Sequence, residues 1–129
     1  MNFLYLMKFL IISMFFIVPI TMIGIGVLWR KGGPKKINGL YGYRTTRSMA
    51  SQEAWYFAHI YSGKVFLIIG IIQFIITIPI GIYYWPKDDA LVETATLIVL
   101  AIQMLFFILT IPITELKLKK KFDKNGKKI

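Results

Sequence analysis

The side chains able to do chemistry are few, and most stand in one stretch. Between Arg30 and Lys64 lie Arg44, Arg47, Glu53 and His59, the last being the only histidine. A guanidinium offers five donors in a planar fork, which suits phosphate or carboxylate. Glu53 is the only acid before Asp88 and shares its segment with seven cations, so an ion pair with Arg44 is expected. His59 has no cysteine near it and no second acid in register, so no common metal site can form and no metal or cofactor is expected. Glu53 and His59 are six positions apart, about 600° of helix rotation, and do not share a face. Trp55 and His59 do, at i and i+4, which favours a stacked or hydrogen-bonded ring over a catalytic base. With no cysteine there is no thiolate nucleophile and no disulfide.

The elements that must position these groups follow from composition. Of 129 residues, 57% are hydrophobic and 17% charged, against about 25% charged in soluble domains. So small a fold cannot bury that much apolar surface, which excludes a soluble enzyme, and disorder needs the opposite composition. Three stretches reach the roughly 20 apolar residues of a spanning helix: Phe9–Trp29, Val65–Trp85 and Ala90–Ile113, the last with Glu93 as its single charge. Trp29, Tyr83, Tyr84 and Trp85 sit at span ends, the depth amphipathic rings prefer. Pro19 and Pro79 are expected to kink their helices, neighbours satisfying the freed carbonyls. Arg30 and Lys31 directly after the first span give a stop-transfer pattern, so it reads as a retained span, not a cleaved signal. The fold class is thus an all-α integral membrane protein with three transmembrane helices.

Lysine and arginine number one before the first span, seven in residues 30–64, one in the short second loop and seven in the tail from 114 to 129. The positive-inside rule then places the N-terminus outside and the loop 30–64 and the tail in the cytoplasm. Gly32-Gly33-Pro34 breaks the first helix, and Ser51 looks like an N-cap with Glu53 in the first turn. Residues 52–63, with Trp55, Tyr56, Phe57 and Tyr61, read as an interfacial helix before the second span, bent at Gly63 to lie flat. Gln73 and Gln103 near mid-span are expected to pair across helices. Glu115 with Lys119 forms an i, i+4 pair, and Lys117, Lys119, Lys120 and Lys121, with Arg47 in the loop, face anionic lipid.

One block has no common structural explanation. Asn38, Gly39, Gly42-Tyr43-Arg44-Thr45, Ser48, Ser51, Glu53, Trp55, His59 and Gly63 resemble the SdpI/YfhL family of small bacterial membrane proteins, over about 26 residues. The resemblance implies immunity to a secreted, membrane-active peptide, with some members holding a cytoplasmic regulator at the membrane. It marks Asn38, Gly42, Tyr43, Arg44, Thr45, Ser48, Glu53, Trp55, His59 and Gly63 as the motif and binding residues of a non-enzymatic protein. The chain looks like the shorter, three-span form of the family. Two other readings stand beside it. One is an accessory subunit packing against a transporter, sensor or second copy through Gly24, Gly26 and Gly70. The other is a membrane enzyme using Arg44 and Arg47 for a lipid phosphate and Glu53 or His59 as acid or base. Nucleic acid is not an expected partner for a tail held at the membrane.

Overall fold

In the computed structural model, which describes residues 2–129, three long helices cross one another's length and no strand pairs into a sheet among the described residues. The first span comprises α1 (Phe3–Ser13), a 3₁₀ turn (Met14–Phe16) and α2 (Ile17–Trp29). The second is α3 (Gln52–Tyr84) and the third α4 (Asp89–Lys121). All three are long and apolar enough to cross a membrane.

The 3₁₀ turn has a cause in the sequence. Pro19 has no N–H to give to the carbonyl four residues earlier, that of Phe15. Gln103 of α4 supplies the missing donor, its Nε2 reaching Phe15 O at 2.9 Å. The same amide reaches Thr77 Oγ1 at 3.1 Å, and Gln73 Nε2 donates to the backbone carbonyl of Gln103 at 3.3 Å. The two glutamines therefore pair across helices as expected, through the backbone carbonyl of Gln103. Each amide nitrogen faces a carbonyl, which fixes its orientation and leaves both Oε1 atoms buried without a partner. They stand beside a cavity of about 150 Å³ between α3 and α4.

The expected flat-lying helix is corrected. Helix α3 is continuous from Gln52 to Tyr84, with no break at Gly63. Its first three turns project beyond the apolar stretch. His59 stands sixteen residues from Ile75, the middle of that stretch, or about 24 Å at ~1.5 Å per residue. The hydrocarbon half-thickness is only ~15 Å. Gly63 serves a different purpose: a Cβ there would lie 2.9 Å from the backbone of Trp29 and Arg30. Gly26 and Gly70 do the same lower down, where a Cβ would meet Leu67 at 2.7 Å and Ile23 at 3.0 Å. The three glycines let α2 and α3 pack backbone to backbone. Gly26 and Gly70 are thus used inside the chain and are not free for an outside partner, whereas Gly24 faces open space.

The 35–51 loop and the tail meet at one end of the bundle. Ser51 caps α3 by accepting from the Ala54 N–H at 3.0 Å, and its hydroxyl donates to Gly126 O at 2.6 Å. Residues 122–129 form a tight turn, with a bridge between Phe122 and Lys128 and two backbone N–H groups on Asp123 Oδ1. Tyr43, Ala54, Ala58, Leu118 and Phe122 form a small core beneath it.

Candidate functional site

The motif residues converge on the projecting turns of α3. Asn38 builds a turn, its Oδ1 accepting from the N–H groups of Leu40 (3.0 Å) and Tyr41 (2.9 Å). That turn leaves Leu40 86% and Tyr41 64% exposed. Gly42 follows with φ 115°, and a Cβ there would sit 2.8 Å from His59 Nε2. Only glycine takes this backbone shape at so close an approach. The chain then lays the Tyr43 N–H on His59 Nε2 at 2.9 Å.

His59 is fully buried and wedged between two indoles, with ring centroids 4.4 Å from Trp55 and 4.9 Å from Trp29. Its Nδ1 lies 2.7 Å from Trp55 O. A carbonyl can only accept and an N–H can only donate, so the ring carries its proton on Nδ1 and accepts on Nε2. Burial pushes this imidazole below its ordinary value. Both nitrogens are engaged with backbone, which leaves neither for proton transfer to a substrate. Trp55 is anchored in turn by its Nε1–H on Pro34 O at 2.7 Å.

Ser48 closes the other side. Its hydroxyl donates to Tyr43 O at 2.8 Å and accepts from the Thr45 N–H at 2.9 Å. The hydroxyls of Tyr43 and Thr45 both reach Glu115 Oε1, each at 2.7 Å. Tyr43 is held firmly in its protonated form, by burial first and by the Glu115 carboxylate second. Glu115 therefore fastens the loop to α4. Its expected i, i+4 pair with Lys119 does not form; among the described residues the sole ion pair is Lys8 with Asp89, at the opposite end.

The expected Arg44–Glu53 pair does not form either. Both side chains are exposed, and the Arg44 guanidinium donates to Gly39 O. Glu53 lies on the side of α3 facing the tail, beside Tyr56, Phe57 and Lys128, while Arg44 lies near α2 and α4. Helix geometry separates them: the loop enters on the His59 face, and residues 53 and 59 point apart. Arg47 is half-buried in the turn that follows. Of the tail lysines, Lys117 and Lys121 lie over the Tyr61 and Phe57 rings at 5.9 and 5.0 Å, and Lys119 and Lys120 are exposed. Gly63 sits on the α2 contact, away from the loop.

Glu115 and the tail turn at Gly126 are the two holding groups that sequence reasoning missed. The available signal was an acid in an otherwise basic segment, placed where α4 leaves the apolar stretch.

A family model described as the SdpI/YfhL protein family matches residues 35–114. Bacillus subtilis (strain 168) has a relative, "uncharacterized protein YfhL", that is 43% identical over 51 residues. That match covers 40% of this chain and 46% of the relative, so the aligned part spans less than half the relative's length. No solved structure matches. The matched region takes in the loop, the motif and both later spans, and the chain belongs to the SdpI/YfhL family.

Proposed function

We propose that the chain is an immunity-type protein of the bacterial cell membrane that protects against a secreted, membrane-active peptide. The observation that carries this reading is the division of labour within the motif. Gly42, Tyr43, Thr45, Ser48, Trp55 and His59 are spent on holding the loop. Arg44, Leu40 and Tyr41 are left outward. A cation beside two exposed apolar side chains is the chemistry that meets an amphipathic peptide at the headgroup layer. In this reading the loop and tail face the cytoplasm, and the exposed Lys119 and Lys120 offer an acidic regulator a surface. The test is survival of a sensitive strain expressing the protein and challenged with a panel of membrane-active peptides. Protection by the wild type, lost in Arg44→Ala and kept in Glu53→Ala, is expected. Unchanged killing by every peptide, with the protein inserted in the membrane, would sink the reading.

A further inference from the structure

A cleft of about 240 Å³ opens between α2 and α4 directly beneath the loop. Ile25 and Trp29 form one wall, Phe107 and Ile111 the other, and Phe66 of α3 lies at its floor. The chain from Gly42 to Thr45 roofs it. The space is several times the ~30 Å³ liquid share of one water, and its apolar walls offer water few partners but suit an alkyl segment. The lining below the roof is aliphatic and aromatic, and it lies at the loop end of the spans, where acyl chains meet headgroups.

The roof supplies the opposite chemistry. Arg44 lines the cleft and is exposed, with no carboxylate at ion-pair distance among the described residues. Its contact with Gly39 O leaves most of its five donors unspent. Glu115, the acid of this region, has its Oε1 occupied by the Tyr43 and Thr45 hydroxyls. Exposed Leu40 and Tyr41 stand just before the roof, and an exposed tyrosine ring favours the headgroup layer.

A phosphate alone has no use for the apolar cleft, and a neutral tail alone has no use for the arginine. We propose that this cleft binds an anionic phospholipid of the surrounding leaflet. Its phosphate sits on the Arg44 guanidinium and one acyl chain runs along Phe66 and Phe107. The site does not depend on protection against any peptide, because its readout is lipid retention.

The full chain, purified in detergent, is titrated with dioleoylphosphatidylglycerol or dioleoylphosphatidylcholine, and bound lipid is counted by native mass spectrometry. One phosphatidylglycerol is expected to be retained, about fivefold more tightly than phosphatidylcholine, the preference one cation near a headgroup supplies. Arg44→Gln, at an exposed position, should bring the two lipids level while leaving the helical circular dichroism unchanged. Ile111→Trp, which fills the cleft, should weaken both lipids. Equal retention of the two lipids by the wild type overturns the proposal, as does retention of neither. So does a preference that survives Arg44→Gln. Displacement by soluble glycerol 3-phosphate would show a free-phosphate site instead and overturn it as well. Should Ile111→Trp fail to fold, Arg44→Gln and the soluble competitor still decide.

Discussion

Tyr43 and Glu115 are 72 positions apart in the chain, and the Tyr43 hydroxyl donates to Glu115 Oε1 at 2.7 Å. The same oxygen takes the Thr45 hydroxyl, so one carboxylate gathers two residues of the loop. Removing a donor strands part of a half-buried charge. Tyr43→Phe is expected to cost about 1–3 kcal/mol and Thr45→Val a similar amount. Adding Glu115→Gln to Tyr43→Phe should cost less than the sum, since the pair share one bond. Denaturant midpoints in micelles measure this, and strict additivity would show the contact to be idle.

Arg44 and Glu53 should behave in the opposite way. They are not paired, so Arg44→Ala and Glu53→Ala should be additive within ~0.5 kcal/mol. Each alone should shift stability by no more than about 0.5 kcal/mol, as exposed positions do. A coupling energy well above that in a double-mutant cycle would place the two side chains together after all.

The loop should have both an acid and an alkaline limit. Burial lowers the His59 value in the fold, so unfolding takes up a proton in mild acid. Stability is then complete above the unfolded value of ~6.5 and falls as pH drops below it. Tyr43 is shifted upward, so its contribution is complete below the unfolded value of ~10 and falls as pH rises past it. Unfolding midpoints across pH should show a plateau from about 7 to 9.5. Tyr43→Phe should flatten the alkaline limb and leave the acid one.

Glycine positions on the first span separate cleanly. Gly26→Leu puts a side chain where even a Cβ would lie 2.7 Å from Leu67, against backbone that cannot yield. It should destabilise by several kcal/mol, at or above the ~1–3 of ordinary overpacking. A Cβ at Gly24 meets nothing within 4 Å, and Gly24→Leu should be close to neutral. Thermal unfolding of the two variants side by side is the measurement. Equal losses would mean that α2 and α3 do not touch along Gly26.

The three spans were legible because hydropathy and length decide them. Residues 9–29, 65–85 and 90–113 all fall within the helices Phe3–Trp29, Gln52–Tyr84 and Asp89–Lys121, apart from Trp85, the C-cap of α3. Ser51 was legible as a cap, and His59 as a ring bonded to Trp55, because both are local relations. What could not be read was where the loop lands. Glu115 looked like the partner of Lys119 because a helix neighbour is visible in sequence, whereas a loop 70 residues upstream is not. The Arg44–Glu53 pair failed for the same reason: few charges in a segment say who is available, not which face each one occupies. At 33 residues α3 is about 50 Å long at ~1.5 Å per residue, more than the ~40–45 Å of the whole bilayer, which is why a bend at Gly63 is the expectation from sequence. Turns that leave the membrane and pack under a loop resolve that excess without bending.

The fastenings of the loop onto the third span have a consequence for the order in which the molecule can be made. Tyr43 and Thr45 are held by Glu115, and Ser51 by Gly126. A ribosome reads these partners long after the loop itself has emerged. During synthesis the loop can rest on His59 and Trp55 of α3 as soon as that helix inserts, but it stays open toward α4. It closes only when the stretch from 115 to 126 has left the exit tunnel, so all three helices are made before the loop is fastened.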